Sequence, residues 1–461
     1  DIGPELRQYF IERDWDGRPF SRDQRNGIYE RAAGKQSETS FGTVQDVSEE
    51  GHEHLVHSIA PAEKPKQPPR AHIGGKDCTK PYDMSLLNVS AMSFGSLSKN
   101  AVRSMNKGAA MGGFAQDTGE GGISPYHQEY NGDLVWELGT GYFAARTRDG
   151  DFDPAQFKEK AALDQVKMVE LKVSQGAKPG IGGVLPASKI TPEIAEIRGI
   201  PMDKDCVSPA RHRVFSTPTE LIEFIAEMRE LAGGKPAGFK LCVGSRREVL
   251  AICKAIREVG SAPDFIVVDG SEGGTGAAPL DFEDHVGMPL THGLMTLHNA
   301  LVGTGLRDQI KIGASGKVTG GSDIVMRLIQ GADYTNAARA MMMATGCIQA
   351  QRCHTGKCPT GVATQDPRRN RAVVVEDKSR AVYNYHKTTV DQAVRLMASM
   401  GLTDPSQLTP EMLRRNVSST ESRTYAEIYE WLSPEQLLDD APASWAADWK
   451  AASPDTFRPV A

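Results

Sequence analysis

The sequence predicts an α/β chain built on a (β/α)8 TIM barrel, with an N-terminal extension and a C-terminal helical tail. Three observations predict it. Short apolar runs alternate with amphipathic helical stretches over about 300 residues, the pattern of parallel strands joined by helices. Glycine-rich loops follow those runs several times along the chain, not once near its start, which favours a barrel over a doubly wound sheet. The composition, 39% hydrophobic and 24% charged over 461 residues, is that of a globular chain.

The elements follow in order. Residues 1–80 read as a wrapping extension, polar, with aromatic runs such as YFIERDW, and closed by EKPKQPPRAH as an extended connector. The barrel is expected over 81–402. TPTELIEFIAEMRELAGG (217–234) has Thr/Pro start signals, helical apolar spacing and a stop at Gly233-Gly234. PAGFKLCVG follows as a strand, SRREVLAICKAIREVG as a helix, and DFIVVDG as a buried strand opening into SEGGTGAAP. IKIGASGK reads as strand and loop, GSDIVMRLIQGA as a helix and ADYTNAARA as a further strand. SRAVYNYHKTTVDQAVRLMASMGL closes the domain as a helix. The tail, 403–461, carries helix-start signals at Thr409-Pro410 and Ser433-Pro434.

A net charge of -6 gives no reason to expect nucleic acid as a partner. Seven cysteines, four of them scattered (Cys78, Cys206, Cys242, Cys253), argue against a disulfide framework and for a reducing compartment. No apolar run approaches the ~18–20 residues that span a bilayer. A cytoplasmic location is therefore expected. Because the chain starts at Asp1 without methionine, membrane association through a preceding segment is the alternative.

Several segments carry chemistry. SEGGTGAA (271–278) and GASGKVTGGSD (313–323) each follow a strand and precede helical sequence, where glycines let backbone N–H groups approach a phosphate. Two such loops on late strands match the usual barrel phosphate site. Glu120, flanked by glycines in QDTGEGGISPYH, is either an exposed turn carboxylate or a pocket acid. Lys172, Gln175 and Lys178, in VELKVSQGAKPGIGGVLPASK, suit a dicarboxylate or keto-acid ligand, though on that segment alone a solvated loop is the better reading. Arg198 in EIAEIRGIP is as ambiguous taken alone.

GCIQAQRCHTGKCPTG (346–361) gathers Cys347, Cys353 and Cys358. The spacing is loose for zinc, although His354 could complete a fourth ligand. Three thiolates and the Cys358-Pro359 ending fit an iron–sulfur cluster. Cluster, zinc and no metal all stay open on the residues alone.

GCIQAQRCHTGKCPTGVATQDP nevertheless resembles the cluster loop of glutamate synthases. SAMSFGSLS (90–98), DTGEGG (117–122), LKVSQGAKPG (171–180), DGSEGGTGAAP (269–279) and ASGKVTGGSD (314–323) are similar to that family's other blocks, in the same order. The resemblance covers roughly residues 80–400 and implies a barrel that binds FMN and a 3Fe–4S cluster. The reaction implied is that of an oxidoreductase acting on CH–NH2 donors: reduction of a 2-imino acid, formed from 2-oxoglutarate and ammonia or an amine, to L-glutamate. By carry-over, Ala91, Met92, Ser93 and Lys240 lie along the flavin, with Ser271, Gly273, Gly274, Gly316 and Ala338 around its ring and phosphate. Gln175, Lys178 and Arg198 match positions that hold the oxo-acid carboxylates. Glu120 and Lys172 match residues at the reacting centre, and Cys347, Cys353 and Cys358 match the cluster ligands.

The departures bear on substrate and partners. No glutaminase domain with an N-terminal cysteine precedes the barrel, and the family's large C-terminal domain is absent, so the chain resembles the stand-alone FMN-domain branch. Expected partners are therefore an electron donor such as a ferredoxin or a reductase subunit, a separate amidotransferase subunit, and a second copy of the chain. Ile181 replaces a glutamate, Asp117 an amide, and Trp136 and Glu137 a Lys-Gln pair. SPARHRVFS keeps His212 but adds Arg211 and Arg213. Two other readings stand beside this one: the catalytic subunit of an N-methylglutamate-synthase-like complex, and a non-catalytic flavin/iron–sulfur electron-transfer subunit.

Overall fold

The computed structural model describes residues 18–38 and 40–459. Within them eight parallel strands close into a barrel: β1 (Leu87–Val89), β2 (Gln116–Asp117), β3 (Leu134–Leu138), β4 (Val166–Lys172), β5 (Ala237–Leu241), β6 (Phe265–Asp269), β7 (Lys311–Ser315) and β8 (Tyr334–Ala337). The strands pair in chain order, and β8 returns to β1 with Thr335 opposite Leu87, so no edge is left open. The YFIERDW run lies outside the described residues.

Strand periodicity sorts the side chains into two sets. Leu134, Trp136 and Leu138 of β3, like Ile266 and Val268 of β6, pack outward into the large core beneath the helices. Their alternates point inward and form layers along the axis. The lower part of the barrel interior is apolar, an inward cluster that includes Ala115, Val135, Met168, Phe265, Val267 and Tyr334. Beside and above it, β2, β3, β4 and β5 place Asp117, Glu137, Glu170 and Lys240, all buried. Lys172, Asp269 and Ser315 end their strands at the upper rim.

The helices form where the sequence signals predict. Thr217 caps Pro218–Leu231 in a reciprocal capping box with Glu220, and Gly260 ends Arg246–Val259 in the left-handed conformation. The closing helix is longer than its sequence signal, Val375–Ser399, and packs against Lys99–Gly112. Gly108 permits that approach, since a Cβ there would lie 2.7 Å from Val382 Cγ1.

Three local expectations are revised. Arg70–Ile73 and Tyr82–Ser85 form an antiparallel hairpin whose Ala71, Ile73 and Met84 plug the lower mouth of the barrel. The Arg70-Ala71-His72 end of the expected connector is thus strand, and the 80/81 boundary falls inside this hairpin. ADYTNAARA is strand only over Tyr334–Ala337, because Arg339 already begins a helix. The tail holds short helices (Tyr425–Ile428, Gln436–Asp439, Ala443–Ala451), but Thr409-Pro410 leads through a single 3-10 turn into strand Leu413–Asn416. That strand pairs with Ser422–Thr424 and with Glu53–Leu55 of the extension, a distant partner that no local pattern encodes. No helix among the described residues is long and apolar enough to cross a membrane.

Candidate functional site

At the C-terminal ends of the strands lies a cavity of about 830 Å³, a size typical of small-molecule sites. Every residue singled out above as a site candidate lines it.

One corner is cationic. β4 ends at Lys172, whose Nζ lies 3.1 Å from Glu120 Oε1. Gly139 and Gly183 press on that carboxylate, each so close that a Cβ would fall 2.5 Å from one of its oxygens. Burial alone would raise the Glu120 carboxyl, but Lys172, Arg198 and Lys178 together bring it below its ordinary value. Lys178 donates to the Ala277 carbonyl at 3.3 Å. Arg198 ends the short helix Pro192–Arg198, donates through Nη2 to the Phe94 carbonyl at 3.2 Å and lies 5.1 Å over the Phe143 ring. Its buried Nε has no partner, a donor left for a ligand oxygen. Burial pushes both Lys178 and Arg198 down, partly offset by Glu120. Three cations against one carboxylate leave the corner with excess positive charge, which suits a dianion.

His212 fixes this corner from behind. The Tyr142 hydroxyl accepts from the N–H groups of Arg213 and Val214 at 3.0 and 3.3 Å, so its proton goes to His212 Nδ1, 3.1 Å away. Nε2–H of His212 then donates to the Lys172 carbonyl at 2.8 Å. Burial lowers the His212 pKa to about 4, so the ring is neutral, as this tautomer requires.

Below the corner, Lys240 pairs with Glu137 and lies 3.7 Å from Glu170. The carboxylates of Asp117, Glu137 and Glu170 have oxygens within 4.8 Å of one another. Burial raises the carboxyls of Asp117 and Glu170, each pushed further by a neighbouring acid. Burial alone would lower Lys240, but Glu137, Glu170 and Asp117 hold it well above its usual value. The ammonium of Lys240 is the internal cation of this acidic layer.

The opposite wall is a glycine cradle. Gly176 packs on the Gly270 carbonyl, where any Cβ would collide. Gly316 and Lys317 follow β7 with φ of 155° and 48°, and Arg339 opens the helix after β8. Arg339 donates to the Glu272 carbonyl at 2.6 Å and stacks 4.7 Å over Phe20. Lys317 and Arg339 were not among the sequence candidates, although a lysine inside ASGKVTGG is a recognisable signal for an anion. Asn336 Oδ1, buried in this wall, lacks a partner and remains an acceptor for a ligand donor.

The cysteine loop forms the third side. Gln349 and Gln351 adopt left-handed φ of 57° and 53°, and the extension holds that shape. Arg18 donates to the Gln349 carbonyl at 2.6 Å, the Gln349 amide bonds both ways with the Phe20 backbone at 3.2 and 3.1 Å, and the Tyr29 hydroxyl donates to the Cys347 carbonyl at 2.7 Å. Lys189, also absent from the sequence candidates, donates to the Cys353 carbonyl at 2.5 Å. All three cysteines line the cavity, but their sulfurs are not gathered within 4.8 Å of one another. Among the described residues only Asp117, Glu137 and Glu170 bring three such donor atoms within 4.8 Å of one another. A single zinc with Zn–S of about 2.3 Å would draw its sulfurs to roughly 3.8 Å.

Residues 35–403 match the conserved region in glutamate synthase. The chain is 36% identical to the glutamate synthase large subunit-like protein YerD of Bacillus subtilis (strain 168), across 89% of this chain and 85% of that protein. It is 33% identical to the archaeal-type glutamate synthase (NADPH) of Thermotoga neapolitana, across 68% of this chain and 58% of that enzyme. With the glutamate synthase (NADPH) large chain of Bacillus subtilis it shares 30% identity over 20% of that protein.

Proposed function

The chain belongs to the glutamate synthase family, and from that membership we propose that it reduces a 2-imino acid, formed from 2-oxoglutarate and ammonia or an amine, to L-glutamate, using FMN and a 3Fe–4S cluster. One observation carries the reading. A single cavity sets a corner of three cations and one carboxylate against a glycine cradle with two further cations, and beside three cysteines.

The residues fit both groups. Lys317, Arg339 and the glycine backbone suit a phosphate, while the unpartnered Asn336 oxygen and Lys240 offer an acceptor and a donor to a polar ring system. Sulfurs too widely spaced for one ion suit a cluster that spreads three ligands over several irons. When bound, FMN would supply hydride chemistry at the C=N carbon, and a cluster at the cysteines would supply one-electron transfer.

The chain's own residues do the remainder. Lys178 and Arg198 bind the two carboxylates of the oxo acid, and Gln175 adds an amide donor. Holding the substrate at both ends turns the reduction into a reaction of fixed geometry. Lys172 holds a proton at Nζ for the imine nitrogen, while the Glu120 carboxylate stabilises the protonated C=N that accepts hydride best. The proton on nitrogen and the hydride on carbon balance the conversion of imine to amine. His212 keeps Lys172 in register through its backbone. Ammonia, whether free or delivered by an amidotransferase subunit, and electrons from a ferredoxin or a reductase subunit complete the scheme.

The test is anaerobic. The loaded chain is reduced, then mixed with 2-oxoglutarate and ammonium, and separately with methylamine. Flavin reoxidation with formation of glutamate is expected. A preference for methylamine, giving N-methylglutamate, would replace the amine in the scheme. Flavin that stays reduced with every oxo acid and amine would overturn the catalytic reading.

A further inference from the structure

Lys189 closes the 3-10 turn Ala187–Lys189, on the cavity wall between the cationic corner and the cysteine loop. It is 9% exposed, and its Cε lies where a Cβ on Gly356 would be 3.6 Å away, so the ammonium is lodged inside the loop that carries Cys353 and Cys358. Its Nζ donates to the Cys353 carbonyl. Among the described residues no carboxylate lies within ion-pair distance of it; the groups around its ammonium belong to the cysteine loop, the Cys353 carbonyl and the turn at Gly356. A buried ammonium without a carboxylate partner is costly unless another negative charge compensates it. Among the described residues, the cysteine loop is what its ammonium bonds.

The position is also held firmly. Lys189 lies two residues before Thr191, whose hydroxyl caps Pro192–Arg198 by accepting from the Ile194 N–H at 3.3 Å. The same short segment therefore carries Lys189 at one end and Arg198 of the oxo-acid clamp at the other.

We propose that Lys189 raises the redox potential of the iron–sulfur group held by Cys347, Cys353 and Cys358, its ammonium stabilising the reduced form. The inference rests on the cluster reading above. Reduction adds one electron, and hence one negative charge, to the thiolate-bound group. A fixed cation in a site of low polarity favours that state by direct Coulomb attraction. Local charge and hydrogen bonding are among the levers by which a protein sets such potentials. Lys189 is a positioning residue in this sense: it acts on the electron's destination and touches no substrate.

The experiment is a potentiometric titration of the full, cofactor-loaded chain, followed by electron paramagnetic resonance for the cluster and by absorbance for the flavin. Wild type, K189M, K189Q and K189R are compared at one pH. K189Q keeps a donor for the Cys353 carbonyl without the charge, and K189R keeps the charge. In K189M and K189Q the reduced-to-oxidised ratio at a given potential is expected to fall about tenfold, or about 59 mV downward for one electron. K189R should stay near wild type, and the flavin potential should be unchanged in all. An unmoved cluster midpoint in K189Q overturns the inference, as does an equal shift in K189R or a matching shift of the flavin. If K189M fails to assemble, K189Q decides. Failure of both to assemble, with K189R intact, would make Lys189 a retention residue and also overturn it. A wild-type chain without iron and acid-labile sulfide would sink the cluster reading itself, a failure distinguishable from a cluster whose potential ignores Lys189.

Discussion

Glu120 and Lys172 face each other across 3.1 Å at the cationic corner, the carboxylate wedged between Gly139 and Gly183 and the lysine anchored through its own carbonyl to His212. A glycine on each side of Glu120 is required because any Cβ would fill the space its oxygens occupy. In the proposed reaction this close fit would let Lys172 present its proton from one fixed position. Lys172→Met is therefore expected to lower turnover by about 10²–10⁴-fold, the usual worth of a positioned acid. Bound flavin should be retained. Rapid-reaction measurement of flavin reoxidation checks this directly, since loss of flavin from the purified variant would make Lys172 structural.

The same pair sets a pH dependence. The folded pKa of Glu120 lies below its usual value, so the carboxylate favours folding at any pH above the ordinary carboxylate range. That contribution disappears as pH falls below that range and through the folded value. Glu120→Gln should flatten the acid limb of a stability-versus-pH curve and leave the neutral region with a constant offset. Equilibrium urea denaturation at a series of pH values below 5 tests the sign; an effect confined to neutral pH would contradict it.

Arg198 tests the clamp separately from the flavin. Removing a buried guanidinium that bonds a carboxylate costs about 1.5–3 kcal/mol, so Arg198→Ala should weaken 2-oxoglutarate binding by about 10–100-fold. The perturbation of flavin absorbance on adding oxo acid reports the constant. Loss of FMN from the variant would show instead that Arg198 supports the fold.

How much of this was legible beforehand depended on whether a signal was local. The strands around Phe239 and Ile266 and the helix opened by Thr217 carry their pattern in consecutive residues, and the barrel follows from their alternation. The glycine loops and the cysteine trio are equally local. Lys189 and Arg339 are not, because their roles arise only when distant segments meet, as Phe20 of the extension meets Gln349 and Arg339. The acidic layer lies between these cases. LVWEL and VKMVELK each place a carboxylate on the inward face of a buried strand, and alternation by two residues marks Glu137 and Glu170 as interior. What it does not reveal is that both converge on Lys240.

That convergence makes Lys240 a severe test of the barrel. Its ammonium pairs with the buried Glu137 and lies beside Glu170, and removing one partner of a buried ion pair leaves the other uncompensated at a cost of about 3–5 kcal/mol. Lys240→Met should be destabilised by that amount in denaturant unfolding. Adding Glu137→Gln in the same chain should recover part of the loss, because it removes the charge that Lys240 was paired with. No recovery in the double variant would mean that Lys240 acts through packing and not through charge.

Metal content decides what the cysteines hold, and sulfur spacing predicts the answer. One zinc ion would require thiolates near 3.8 Å apart, whereas Cys347, Cys353 and Cys358 are not all drawn within 4.8 Å. The backbone between them is fixed in that open arrangement by Arg18, Tyr29 and Lys189, each bonding a carbonyl of the loop. Two residues between Cys347 and Cys353, Gln349 and Gln351, are left-handed within that braced loop. Anaerobically purified chain should thus contain iron and acid-labile sulfide, with zinc well below one per chain. Gln349→Ala, which removes both bonds to the Phe20 backbone, should lower iron occupancy while leaving flavin content unchanged. Stoichiometric zinc, or iron occupancy indifferent to Gln349, would show that the braced loop does not serve a cluster.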